Sequence, residues 1–224
     1  MTIALMLSIT RRLTESDSYI RRGQWESPIS AYIHLRGSEL AGKTIGVIGL
    51  GSIGSKVANL SQAFGMSVIA YDPYIKDRNS EELKTRLVDL NYLLKTSDIV
   101  SMHASQPVNG EPIINYHNIK LMREDAIIIN TAGSELINQQ CLIDALATGK
   151  LGGAGLDVFP SHPIEPKNQL LKMKNVVLTP HIGGATSETI NRHSNAMTQD
   201  IISFALGKRP INIVNPEIWD LLYG

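Results

Sequence analysis

One cysteine, Cys141, occurs in 224 residues, so no intrachain disulfide can form. A reducing compartment is consistent with that. Neither charge is in surplus: 21 basic residues face 21 acidic ones. Without a basic excess the chain has no electrostatic footprint for nucleic acid or an anionic membrane. Long apolar runs are missing too. The N-terminal stretch M-T-I-A-L-M-L-S-I-T is too short to span a bilayer. Arg11 and Arg12 follow it, whereas a signal peptide places its charge first. No repeat, no low-complexity segment and no Cys/His cluster at metal-ligand spacing is visible, so no metal site is expected. Together these absences point to a cytoplasmic protein with no nucleic-acid or membrane partner.

What the chain does have is apolar content of 43%, enough to support a packed core. Its most informative stretch runs from Thr44 to Asp72. An apolar run, T-I-G-V-I, leads into Gly49-Leu50-Gly51-Ser52-Ile53-Gly54. An amphipathic segment follows, then a second apolar run ending at Asp72. Strand, glycine turn, helix, strand and acid, in that order, form a dinucleotide-binding fingerprint. Gly49 permits the tight turn, Gly51 lets backbone approach a pyrophosphate, and Gly54 lets the helix pack on the strand. The helix N-terminus, with Ser52 and Ile53, presents unpaired N–H groups to the diphosphate. Asp72 lies 18 residues past Gly54, where a carboxylate can accept from ribose hydroxyls. It would repel a 2′-phosphate, which favours NAD over NADP. By itself a Gly-rich turn explains such a motif equally well; the flanking pattern decides between them.

The remaining pattern alternates strands with helices. A helix apolar on most faces is expected over Ile3–Leu13, then a polar connector from Thr14 to Gly37. Trp25 in that connector reads either as a local packing anchor or as a docking arm. Strands are expected at 44–48, 67–71, 87–88, 99–102, 126–130, 153–156 and 176–178. Helices are expected at 53–64, 90–94, 115–122, 138–148 and 187–206, with a charged helix or loop at 78–86. This order implies a doubly wound parallel sheet, an α/β Rossmann-type domain with flanking N- and C-terminal helices.

In such sheets ligands bind beyond the carboxyl ends of the strands. Asp72, His103, Thr131, Asp157 and His181 collect there. His103 reads first as a structural histidine and second as a catalytic one. Asp157 could reach a nicotinamide carboxamide or cap a neighbouring loop. His181, within T-P-H-I-G-G-A-T, is a candidate acid/base for a hydroxyl proton while a hydride moves to nicotinamide.

Six stretches, in order, carry a resemblance: L-A-G-K-T-I-G-V-I-G-L-G-S-I-G, S-V-I-A-Y-D-P-Y, L-L-K-T-S-D-I-V-S-M-H, I-I-I-N-T-A, G-A-G-L-D-V-F and N-V-V-L-T-P-H-I-G-G-A-T. The chain resembles the D-isomer-specific 2-hydroxyacid dehydrogenases, the family of D-3-phosphoglycerate dehydrogenase. The resemblance implies an interdomain helix and dimer arm at 1–36, an NAD-binding domain at 37–187, and at 188–224 the returning segment of a substrate domain whose larger part is missing. It implies a homodimer, or a partner chain that supplies substrate-domain residues, and a small 2-hydroxy or 2-oxo acid as substrate. It also implies NAD contacts at Gly49, Gly51, Ser52, Ile53, Gly54, Asp72, Ala104, Ser105, Thr131, Ala132, Gly133, Asp157, His181, Gly183 and Gly184.

The family's catalytic set is an arginine in N-T-x-R-G, a glutamate in D-V-F-x-x-E-P and the histidine of T-P-H. Here Gly133 stands at the arginine position and His162 at the glutamate position; only His181 matches. Loss of the arginine removes a bidentate partner for the substrate carboxylate, at a cost of about 10²–10³ in rate by analogy with an oxyanion donor. Glu165, three residues past His162, is a possible substitute for the glutamate. Three functions therefore compete: an oxidoreductase on the CH–OH group of a 2-hydroxy acid, a non-catalytic NAD(H)-binding module or sensor subunit, and a decayed dehydrogenase.

Overall fold

The computed structural model describes residues 1–75 and 85–223. Seven parallel strands form one sheet among the described residues: β1 (Thr44–Ile48), β2 (Ser67–Tyr71), β3 (Arg86–Leu87), β4 (Ile99–Met102), β5 (Ala126–Asn130), β6 (Leu151–Leu156) and β7 (Val176–Leu178). Their spatial order is β3-β2-β1-β4-β5-β6-β7. The chain builds outward from β1 in one direction, then returns to β4 beside it and builds in the other. The order therefore reverses between β1 and β4, where Ile48 lies opposite Met102. Beyond the carboxyl ends of those strands the two following loops part and leave a crevice.

Strands rich in Ile and Val suit a sheet buried on both faces. Alternation sends Ile48, Ile128, Ala154 and Leu156 to one face, with Leu93, Leu94, Leu142 and Leu146 packed on them. Those side chains come from α5 (Leu90–Thr96) and α6 (Gln139–Ala147). Ile45, Val47 and Ile129 turn to the other face. There they meet Leu5 and Met6 of α1 (Thr2–Thr10) and Val57 and Ala58 of α4 (Ser52–Ala63). The apolar N-terminal helix is thus a core element, with Leu5 and Met6 buried.

That helix stops earlier than its apolar pattern implies. Arg12 takes a left-handed conformation, φ 51°, and ends it. The segment 14–37, expected as a polar connector, contains two helices, α2 (Leu13–Arg21) and α3 (Pro28–His34). Neither buries a residue. Local chemistry holds them instead: ion pairs Arg12–Glu15 and Arg21–Asp17, both at 2.7 Å, and a Ser27 N-cap accepting from Ser30 N with Pro28 at the first helical position. The helix expected at 115–122 shrinks to one 3₁₀ turn, Ile119–Leu121. Asn115 and Asn118 compete for the backbone there: Asn118 Oδ1 accepts from Asn115 N, and Asn115 Oδ1 from His117 N. Of the charged stretch at 78–86, residues 78–84 lie outside the described residues.

The polypeptide divides into two compact units, Met1–Gly183 and Gly184–Gly224. The second contains α7 (Ser187–Ala205), capped by Thr186 Oγ1, and α8 (Pro216–Tyr223). Within it Asp200 accepts from Ile211 N and Asn212 N, and the rings of Phe204 and Trp219 meet edge to face at 6.1 Å. No helix among the described residues is long and apolar enough to cross a membrane.

Candidate functional site

The glycine turn after β1 is built by contact on one side and by space on the other. Gly49 has φ 89°, and a β-carbon on it would lie 2.5 Å from Ala104 N and 2.6 Å from its Cα. A β-carbon on Gly54 would overlap the carbonyl oxygen of Gly49. Both glycines are required for α4 to pack over β1 and the loop after β4. Gly51 differs: nothing lies within 4 Å of the corresponding position. Gly51 is also the N-cap of α4 and supplies no capping side chain, so the first N–H groups of the helix, at Ser52, Ile53 and Gly54, have no side-chain cap. Open space, unpaired donors and the positive end of a helix dipole fit a diphosphate.

A cavity of about 490 Å³ continues from the turn, lined by Gly49, Gly51, Asp72, His103, Ala104 and Ser105 among others. Asp72 is held for use: Oδ2 accepts from Leu50 N and Oδ1 from Tyr74 N, both at 2.9 Å. Each oxygen retains lone-pair capacity for a ribose hydroxyl. His103 behaves as a structural histidine. Its Nε2 lies 2.8 Å from the hydroxyl of fully buried Ser101, and desolvation pushes its pKa down to about 4. It stays neutral at physiological pH.

A second group of residues gathers past β5, β6 and β7. Asn130, buried at the end of β5, folds the next loop onto itself. Its Nδ2 donates to Gly133 O at 2.8 Å and its Oδ1 accepts from Ala132 N at 3.1 Å. Thr131 pairs with the hydroxyl of Thr2 at 2.9 Å. Asp157, at 1% exposure, accepts from Thr179 Oγ1, Ile182 N and Gly183 N. It therefore latches the loop that carries His181. His181 itself sits in the left-handed region, φ 55°, and its ring is exposed. Its Nδ1 lies 3.1 Å from His162 Nε2, so its Nε2 is the nitrogen left free.

His162 thus takes the place beside His181 that a carboxylate takes in the family motif. Glu165 is exposed and hydrogen-bonds neither histidine among the described contacts. At Gly133 the backbone is extended, φ −155°, and the Glu135 carboxylate presses on the space where a side chain would start, its Cδ 2.7 Å from a β-carbon. Gly184, the last expected cofactor contact, begins the second unit and is exposed.

Residues 3–183 match the family model "D-isomer specific 2-hydroxyacid dehydrogenase, NAD binding domain". The chain belongs to the D-isomer specific 2-hydroxyacid dehydrogenase family. It is 37% identical over 215 residues to a glyoxylate reductase of Korarchaeum cryptofilum, covering 96% of this chain and 64% of that protein. It is 36% identical over 213 residues to a D-3-phosphoglycerate dehydrogenase of Archaeoglobus fulgidus, covering 95% of this chain and 40% of the relative. The NAD-complexed form of a D-isomer specific 2-hydroxyacid dehydrogenase from Lactobacillus delbrueckii ssp. bulgaricus superposes with a TM-score of 0.81 at 31% identity, covering 96% of this chain and 68% of that one. The chain thus spans less than two thirds of the length of these two sequence relatives. The matched part is the NAD-binding domain of the family, so NAD is its cofactor.

Three contributors escape a sequence reading. Asn130 organises the N-T-A-G loop, Thr179 completes the Asp157 latch, and Glu135 fills the space beside Gly133. Asn130 at a strand end was the one accessible clue, because a buried amide there must find partners. The Glu135 position depends on a 3₁₀ turn (Ser134–Leu136) that no periodicity announces.

Proposed function

We propose that this chain is the cofactor-binding part of an NAD-dependent oxidoreductase acting on the CH–OH group of a small 2-hydroxy acid or the carbonyl of the corresponding 2-oxo acid. The observation that carries this reading is the presentation of His181. The buried carboxylate of Asp157 fixes its loop through hydrogen bonds from Ile182 N and Gly183 N, and Nε2 points away from the His162 contact. Bound NAD supplies or accepts the hydride. Gly51 and the N-terminus of α4 hold the diphosphate, Asp72 orients the ribose, and His181 Nε2 moves the hydroxyl proton. His162 orients the ring but offers no negative charge to stabilise its protonated form, and Gly133 offers no cation to the substrate carboxylate. Both features point to a slow reaction.

The division into residues 1–36, 37–187 and 188–224 is part of the same proposal, as is a homodimer formed through the first of these. The support for the dimer is exposed apolar surface in one short stretch: Trp25 57%, Ile29 72%, Tyr32 72% and Ile33 57% exposed.

Incubation with NADH and a panel of 2-oxo acids, beginning with glyoxylate and hydroxypyruvate, tests the reading by loss of NADH absorbance. Turnover that disappears in His181→Gln is the expected result. NADH binding by fluorescence with no turnover on any substrate would remove the catalytic part and leave a cofactor-binding module.

A further inference from the structure

His162 and His181 are 19 residues apart in the chain, a spacing that matches no metal motif, yet the fold brings their rings together. Nδ1 of His181 and Nε2 of His162 are 3.1 Å apart, the ring centroids 4.9 Å apart, and the planes inclined by 40°. Both rings are exposed. Two nitrogens bound to one ion at about 2.0–2.1 Å stand about 2.9 Å apart at a right angle and about 3.4 Å apart in a tetrahedron. The observed separation falls inside that interval. We propose that His162 Nε2 and His181 Nδ1 form a two-nitrogen site for a borderline transition-metal dication of the Zn²⁺, Ni²⁺ and Cu²⁺ class.

The chemistry of the pair suits this ion class. Imidazole is the side chain these metals share as a preferred ligand, with Cu²⁺ bound most tightly at a given site. Coordination needs both facing lone pairs, so the proton shared in the hydrogen bond moves to the far nitrogen of its own ring. A neutral pair loses no proton in the process. Acid, which protonates imidazole, competes with the metal. Rotation about the side-chain bonds of two exposed rings turns the lone pairs from each other toward a common point.

The surroundings fix the backbone that carries His181 without adding a ligand. His181 N donates to Thr179 O at 3.0 Å, and Asp157 fixes the neighbouring amides of Ile182 and Gly183. Those hydrogen bonds leave the buried Asp157 carboxylate committed to the loop. Among the described residues no group of three or more His, Cys, Asp or Glu could hold a metal ion. The remaining coordination positions therefore go to water or to an incoming oxygen ligand, and the site is open and reversible.

Occupancy has a consequence for His181. With Nδ1 bound to metal, the ring keeps its proton on Nε2 and can donate it in a hydrogen bond but cannot accept another. The metal thus removes His181 as a base. The binding inference itself stands apart from the dehydrogenase reading, since it needs neither cofactor nor substrate.

Isothermal titration of the full chain with Ni²⁺ and with Zn²⁺, without NADH or substrate, tests it. One equivalent is expected to bind, with affinity reduced at least about tenfold in both His162→Gln and His181→Gln and retained in the control His117→Gln. Cu²⁺ electron paramagnetic resonance should show coupling to two nitrogens, falling to one in either variant. Circular dichroism confirms that the variants, both at exposed positions, are folded. Affinity unchanged in His162→Gln, or lost equally in His117→Gln, would overturn the proposal and leave a hydrogen-bonded histidine pair only.

Discussion

Three glycines of one turn have separable duties. Gly49 and Gly54 are crowded by backbone, so Gly49→Ala or Gly54→Ala should destabilise the first unit by roughly 1–3 kcal/mol or more. Gly51→Ala meets no atom within 4 Å and should lower the denaturant midpoint by no more than the modest N-cap preference of Gly over Ala, while its NADH affinity drops. Urea titration and NADH fluorescence together distinguish the two outcomes. A second residue, His103, sets a pH dependence. Its folded pKa of about 4 is below the ordinary value of 6.5, so the unfolded chain binds the extra proton between those limits. Stability contributed by neutral His103 is full above about pH 6.5 and is lost as pH falls toward 4, on the order of 2 kcal/mol after allowance for partial exposure. Replacement by Gln should flatten the stability profile across that window. Gly133 makes a third case. Gly133→Arg alone would place its guanidinium against Glu135, which already occupies the space beside it. The pair would neutralise itself, so reduction of glyoxylate should improve by about tenfold or more only in Gly133→Arg with Glu135→Gln, read as kcat/KM.

At the scale of elements, the strand–turn–helix units were legible because their determinants are local. Alternation over Thr44–Ile48, the Gly49–Gly54 turn and the apolar face of α4 lie within twenty residues, and strand limits agree to the residue for β1, β2, β4, β5 and β7. Helices α2 and α3 were not legible from apolar period, since they bury nothing; only Ser27-Pro28 and the (i, i+3) and (i, i+4) ion pairs mark them. The candidate site divides the same way. The residues of the glycine turn and Asp72 come from one contiguous fingerprint, and the fold lines one cavity with several of them. The Asp157–Thr179 latch and the His162–His181 contact join separate loops and exist only once β6 and β7 are paired. An exposed helix pair with Trp25, Ile29, Tyr32 and Ile33 also has a consequence at this scale. Trp25→Ser with Tyr32→Ser should shift the chain to lower mass in sedimentation equilibrium while leaving far-ultraviolet dichroism unchanged, if α3 and its preceding loop form the dimer contact.

For the whole molecule, the parallel sheet spreads the proposed cofactor-binding and proton-transfer residues over different loops at the carboxyl ends of its strands. The loops after β1, β2 and β4 line the nucleotide cavity, and those after β5, β6 and β7 carry the proposed proton-transfer residues beside further expected NAD contacts such as Thr131 and Gly183. Neither Gly133 nor His162 lines the cavity that continues from the glycine turn. This separation explains how one chain can keep a full fingerprint beside an altered catalytic set.

The crowding at Gly49 and Gly54 finally bears on how such fingerprints age. Both residues are demanded by the fold, so a chain that had abandoned its nucleotide would still need them. Gly51 meets no such crowding, so on the proposed reading the ligand constrains it more than the packing does. Among descendants of this chain, a side chain appearing at Gly51 would mark the moment the cofactor was given up, long before the motif as a whole had faded.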